Sequence, residues 1–455
     1  MNQFQIIEKK VLKKITPKKQ DKLHLKKTIQ TLQHAIKKEI ISHQINASLE
    51  LVGSIAKDTY LKNNLDIDLF ITFPISIPEE TITQTTLSIG RTILTDTEEC
   101  YAEHPYIRGI FSSYPVELVP CYQITDATQK ISAVDRTPLH TIYVKKHLKE
   151  FQKREVRLFK QFLRGIECYG AEAEIQGFSG YLCELLILKF KSFQNLINHA
   201  SNWKKGKKIS LTSNRIPDFE DSLIFIDPVD KERNVAAAVA PKTFQRFIIA
   251  CQDYLTHPKI TFFFSNPATP WSLEKIEETI NKQQYAYIAI RFQKPGIINE
   301  NLYPQIRKAC RSITQASTEE GFTIYDTSFH IDTKTDTIYL IIKTDNIPLS
   351  ETYVHQGPPT HLEKNTKEFI EKWQNHPAAV SPPFQQNNRT YVTLKRPYRY
   401  LSDFLNDNLT NLSLGRHLDR IIKKECSIIG QNDLIIPQLT LFWTTYLDNK
   451  KPLER

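Results

Sequence analysis

Leu25, Ile29, Leu32, Ile36 and Ile40 recur at three- and four-residue spacing, which predicts an amphipathic helix packing against whatever follows it. Beyond it the apolar period drops to two. Ser48 to Val52 reads as a strand, Gly53-Ser54 as a turn, and Leu65 to Phe73 as a second strand with Leu65, Ile67, Leu69, Ile71 and Phe73 on its buried face. Tyr106 to Phe111 and Val116 to Val119 read as shorter strands, the second bracketed by Pro115 and Pro120. These elements predict an α/β unit over residues 1–150.

Residues 151–257 read as helical, with one apolar stripe at Val156, Phe159, Phe162 and Leu163, another over Tyr181 to Phe193, and Lys204 to Lys208 as an exposed loop. Residues 258–455 mix periods. A strand at 285–292, a helix at 302–316 and strands at 322–331 and 337–343 predict a small sheet with helices on one face. A strand at 389–395 and a helix at 400–409 follow. The fold class is therefore α+β and multidomain, and 455 residues suit about three domains.

No run approaches the roughly 18 apolar residues of a membrane helix, and the opening Met-Asn-Gln-Phe-Gln has no signal-peptide core. A membrane partner and export are not expected. The seven cysteines form no Cys-x-x-Cys pair and are odd in number, so neither a zinc knuckle nor a disulfide framework is indicated. Small buried thiols in a reducing cytoplasm suit that usage. The formal net charge is +10, and eleven lysines from Lys9 to Lys38 meet only Glu8, Asp21 and Glu39. Such a balance favours a polyanionic partner, although lysine-rich helices are commonly just solvated faces.

Chemistry concentrates between residues 53 and 70. Asp66 and Asp68 sit two apart on a strand, so both carboxylates point to one side. Two adjacent like charges are costly unless neutralised, and a divalent cation does this; Mg²⁺ prefers one or two carboxylates plus phosphate oxygens. A solvent-facing strand edge carries the same pair without any metal. Gly53 and Ser54 ahead of it add a backbone able to approach a phosphate closely and a hydroxyl beside it. Lys57, one turn on, is placed to bring a cation to the same triphosphate.

Gly-Ser followed by Asp-x-Asp resembles the nucleotidyltransferase superfamily that includes DNA polymerase β, and more narrowly the archaeal (class I) CCA-adding enzymes. Further stretches similar to that family follow in its order: Tyr101 to Tyr106, Val119 to Tyr122, Ser132 to Pro138, Tyr169 to Glu172, Gly177 to Leu186 and Asp227 to Ala236, with Asn301 to Gln305 a looser match. The resemblance implies a polymerase β-like nucleotidyltransferase domain, a helical central domain that binds the nucleotide and the RNA end, and a C-terminal α/β region that binds tRNA. It implies CTP and ATP as substrates, the acceptor arm and 3′ end of tRNA as partner, and phosphoryl transfer assisted by two metal ions.

It also implies roles for residues. Asp66, Asp68 and a third carboxylate, Glu117, are the expected catalytic residues and metal ligands. Glu117 stands where the family normally has Asp, and Asn63 where it usually has glycine. Gly53, Ser54 and Lys57 are expected to hold the triphosphate with Lys160 and Tyr169, while His140 contacts the nucleotide and Arg233 reads its base. Gly177 and Gly180 are expected to allow close packing, and His104 to be structural. Mn²⁺ fits the same oxygen ligands as Mg²⁺, and a homodimer stays open. The alternatives are a poly(A) polymerase-like transferase or terminal uridylyltransferase, and an RNA-binding protein whose transferase domain has lost activity.

Overall fold

The computed structural model describes residues 2–62, 64–101, 104–212 and 217–448, so Asn63, Ala102 and Glu103 lie outside it. The chain forms two compact units that divide between Pro267 and Ala268.

The first unit starts with helices α1 (Gln3–Ile15) and α2 (Lys19–Ser42). A mixed sheet follows, built from β1 (Ser48–Leu51), β2 (Ile67–Phe73), β3 (Thr95–Tyr101), β4 (Pro105–Phe111) and β5 (Tyr114–Tyr122), in the order β1-β2-β5-β4-β3. Helix α3 (Gly53–Ala56) leads out of β1, and α4 (Glu79–Ile93) crosses from β2 to β3. The predicted stripe of α2 is buried, and it packs with α4 residues Ile82, Leu87 and Ile89 onto Ile67, Leu69, Ile71 and Phe73. Each such side chain contributes about 2 kcal/mol by leaving water. One face of β2 is thereby sealed; on the other, Phe70 packs with Val52, Val119 and Cys121 and Thr72 is buried, which leaves Asp68 as the half-buried position of the strand.

Pro115 and Pro120 lie inside β5, not at its ends. Pro115 is the second residue of the strand, and Pro120 falls past Leu118, the last residue of β5 that pairs with β4, where a missing N–H interrupts little.

Helices α5 (Arg136–His147), α6 (Glu150–Gly165), α7 (Gly180–Phe190), α8 (Phe193–Ala200) and α9 (Pro241–Thr256) make the helical part, with a two-strand parallel pair, β6 (Lys207–Ile209) and β7 (Leu223–Phe225), between the last two. Its core is aromatic. Phe162 meets Phe193 and Tyr254 edge-on, and Ile7, Val11 and Ile15 of α1 join the same cluster.

The second unit contains α10 (Leu273–Asn281), β8 (Tyr285–Gln293), α11 (Asn299–Glu319), β9 (Ile324–Asp332), β10 (Thr337–Asp345), β11 (Thr352–Pro359), α12 (Glu363–Trp373), β12 (Phe384–Gln386), β13 (Arg389–Lys395), α13 (Leu401–Asn408), α14 (Arg416–Lys424), β14 (Ser427–Ile429) and α15 (Thr440–Leu447). The sheet β14-β8-β10-β9 carries helices on both faces, where the pattern predicted one. Ile290, Phe292, Leu340 and Ile342 face α11, α13 and α14, while Tyr287, Ala289, Tyr339 and Ile341 face α10 and α15. A strand buried on both sides reads as a continuous apolar run, which hides the second layer from a period-two reading.

No helix among the described residues is long and apolar enough to cross a membrane. All seven cysteines are free thiols, five of them buried.

Candidate active site

β2 and β5 pair in parallel, with Asp68 directly beside Glu117. Asp66 precedes β2 on the same side, so three carboxylates gather where the strands begin. Gly53 closes the floor: its φ of +68° turns the chain so that its bare Cα faces Asp68. Burial, followed by the charges of Glu117 and Asp66, pushes the Asp68 carboxyl up to about 7. Burial and Glu117 also raise Asp66. Glu117 is turned toward β4, where Arg108 donates to its Oε1 from Nε at 3.0 Å and from Nη2 at 2.5 Å. Among the described residues no group of three His, Cys, Asp or Glu side chains is placed to hold a metal ion. Asp66 and Asp68 are neighbouring carboxylates, and the charge of Asp66 acts on Asp68.

Lys57 and Lys160, predicted separately from two parts of the chain, meet at one buried acid. Glu184 of α7 accepts from Lys57 Nζ at 2.6 Å and from Thr59 Oγ1 at 2.6 Å. Lys160 of α6 donates to the carbonyl and hydroxyl of Thr59, both at 3.3 Å, and lies 3.7 Å from Glu184 Oε1. Arg157, one turn earlier on α6, ties down the same loop through Tyr60 O, Asp58 O and Asp58 Oδ1. Ser54 is half-buried in α3.

Tyr169 and Lys160 come together over Gly180, whose Cβ position would be 3.3 Å from the phenol oxygen and 3.6 Å from Nζ. Gly177 allows a close approach, since any side chain there would strike the Cys168 carbonyl. His104 is buried, with Nδ1 2.8 Å from Glu79 at the start of α4, which fits the structural role expected of it.

His140 and Arg233 converge on a third buried acid, Asp227. Arg233 Nη1 donates to its Oδ2 at 2.9 Å, Tyr181 donates to its Oδ1 at 3.0 Å, and His140 Nε2 lies 3.0 Å from Oδ2. The His140 ring stacks on Tyr181 with centroids 4.1 Å apart. Burial alone would raise Asp227, but His140, the Val229 amide and Arg233 outweigh it and bring the carboxyl down to about 2. Burial lowers His140 even against the pull of Asp227, so the ring is neutral at physiological pH.

Glu184, Tyr181, Asp227, Thr59 and Arg108 had no predicted role. One signal was legible: Glu184 interrupts the most apolar stretch of the chain, and a fully buried carboxylate requires a charged partner. Lys57 Nζ stands 5.9 Å over the Tyr181 ring, so Tyr181 joins the lysine cluster around Glu184 to the His140–Arg233 cluster around Asp227.

Residues 34–140 match the family model described as nucleotidyltransferase domain, residues 154–264 that of tRNA nucleotidyltransferase, second domain, and residues 284–431 that of CCA-adding enzyme, C-terminal domain. The chain is similar to the CCA-adding enzyme of Thermoplasma acidophilum, at 35% identity over 93% of this chain and 94% of that one. It is 33% identical to the CCA-adding enzyme of Methanosarcina barkeri over 84% of each chain. With that of Haloarcula marismortui the identity is 28%, over 95% of this chain and 96% of the other.

Proposed function

The chain belongs to the CCA-adding enzymes of the nucleotidyltransferase superfamily, and from that premise we propose which of its residues carry each part of the reaction. The reaction follows from membership: C, C and A are added from CTP and ATP to the 3′ end of tRNA, without a template and with release of pyrophosphate.

The superfamily generally works with divalent metal ions. Asp66 and Asp68 fit such ions, because burial and the charge of Glu117 raise the electrostatic cost of both carboxylates and an added cation lowers it, while Glu117 itself is paired with Arg108. We assign Mg²⁺, with Mn²⁺ suited to the same oxygens. Asp66 and Asp68 hold the ions, and Glu117 serves the side of the attacking hydroxyl, directly or through water. When bound, the ions supply acidification of the RNA 3′ hydroxyl and charge neutralisation on the departing pyrophosphate.

Ser54, Lys57, Lys160 and Tyr169 grip the triphosphate, and Gly53 lets the phosphates approach the backbone. Fixing the triphosphate in line with the hydroxyl supplies much of the rate by positioning alone. His140 and Arg233 contact the base. Asp227 aims both, so a base that leaves the guanidinium unsatisfied is rejected. The exposed lysines of α1, of α2 and of the turn between them, among them Lys9, Lys10, Lys13, Lys18 and Lys19, hold the acceptor arm with the second unit by contacts to the RNA backbone. A tRNA substrate assigns the work to the cytoplasm.

The observation that carries this assignment is the register of Asp68 against Glu117 beside the bare Cα of Gly53. Its test is nucleotide addition to a tRNA transcript lacking its last three residues, each triphosphate labelled in turn. Ordered C, C and A followed by a stop supports it. A homopolymer tail points to the poly(A)- or poly(U)-type alternative, and tRNA binding without incorporation to a degenerate transferase.

A further inference from the structure

Two ammonium groups, Lys57 and Lys160, are buried around a single carboxylate, that of Glu184. The contacts are unequal. Lys57 has a 2.6 Å ion pair, whereas Lys160 reaches only the neutral oxygens of Thr59 within hydrogen-bond distance and stays 3.7 Å from the acid. Within this hydrogen-bonded cluster two ammonium groups meet one carboxylate, and the charges of both lysines also act on Asp68 nearby. Buried charge of that kind is costly alone and calls for a further anion.

We propose that Glu184 is a positioning residue for the nucleotide triphosphate: it holds Lys57 from the catalytic domain and Lys160 from the helical part at one point, half-neutralised, so that the incoming phosphates complete the charge balance. The inference rests on the assignment of those two lysines to the triphosphate. Thr59 is the coupling piece. Its hydroxyl donates to Glu184 while the same oxygen accepts from Lys160, so it bridges Lys160 to the carboxylate that Lys57 holds. Without the carboxylate, two buried cations would repel each other, and the pocket would have to be reassembled by each incoming nucleotide. Once the nucleotide is bound, its own phosphates supply the missing negative charge. The loss of Glu184 therefore falls on binding and not on turnover at saturation.

The test is Glu184→Gln, which keeps the shape and removes the charge. The expected result is a rise of roughly tenfold in KM for both CTP and ATP, with kcat within about twofold. Inhibition by inorganic tripolyphosphate weakens in parallel, and tRNA affinity is unchanged. A folded variant with normal KM and normal tripolyphosphate inhibition overturns the proposal, as does an equal loss of kcat and tRNA affinity. Lys57→Met and Lys160→Met separate the two claims. If they lose tripolyphosphate affinity while Glu184→Gln does not, Glu184 has no positioning role. If they too leave it unchanged, the lysine assignment itself fails. Should Glu184→Gln not fold, Thr59→Val takes its place: a KM rise of severalfold at constant kcat is expected, and an unchanged KM overturns the proposal.

Discussion

Asp68 occupies the space that a side chain on residue 53 would need. A Cβ built on Gly53 collides with Oδ2 of Asp68 and stands 2.7 Å from its Cγ, and the backbone there has φ +68°. Gly53→Ala therefore meets two penalties at once, a left-handed backbone costing roughly 1–2 kcal/mol and displacement of the carboxylate proposed to be catalytic. Nucleotide incorporation should fall by about 10² or more. Thermal unfolding should shift only modestly, because the core face of β2 is untouched. A variant with full turnover would show that Asp68 need not sit where it does.

Asp68→Ala should lower kcat by roughly 10³ or more while leaving tRNA affinity within about twofold. Single-turnover incorporation and a filter-binding titration, run on the same preparation, distinguish loss of chemistry from loss of binding. Near-normal turnover would remove Asp68 from the site.

Arg233→Lys keeps a positive charge but gives up the planar fork that Asp227 aligns. Discrimination against UTP and GTP should drop by about tenfold to a hundredfold, with smaller losses on CTP and ATP. Sequencing of product 3′ ends from mixed triphosphates measures it, and unchanged fidelity would place base reading elsewhere.

Glu8 supplies a pH test away from the chemistry. Burial and then the charge of Glu155 push its carboxyl up to about 7 from an ordinary value near 4.5. Between those values the folded chain holds a proton that the unfolded chain has released, so stability falls as pH rises through that window. Glu8→Gln removes the titration. It should leave stability little changed at pH 4 and raise it at pH 8 by about 1 kcal/mol, after allowing for partial exposure, which a higher melting temperature at pH 8 would report. An equal effect at both pH values would contradict this.

Changing Lys9, Lys10, Lys13 and Lys18 to Gln should weaken tRNA binding and flatten its salt dependence, since each lost phosphate contact takes roughly 0.7–0.9 from the slope of log K against log salt. An unchanged slope would leave the basic face of α1 merely solvated.

The catalytic sheet was largely legible because its two periods are clean. The α2 stripe and the alternation from Ile67 to Phe73 each bury one face, and that burial dictates where Asp66 and Asp68 point. Lys57 and Lys160 were legible as residues, but not their convergence. That depends on Glu184, which is 127 residues from Lys57 and sits in a run that reads as core. The hold of Arg108 on Glu117 was equally invisible, since cross-strand partners are set by register and not by spacing in the chain. The second helical layer in the C-terminal unit was hidden because α10 is only nine residues long and α15 is apolar nearly all round.

Tyr181 and Glu184 stand three residues apart on α7 and so share a face, about 4.5 Å apart along its axis. One belongs with the His140–Arg233 cluster and the other with the lysine pair. The helix thus acts as a gauge block whose length is set by its own backbone hydrogen bonds. Inserting or deleting a single residue between 181 and 184 would swing one of the two by about 100° around the axis. The spacing between those two positions is therefore a dimension of the site that point substitutions leave intact and any change in length destroys.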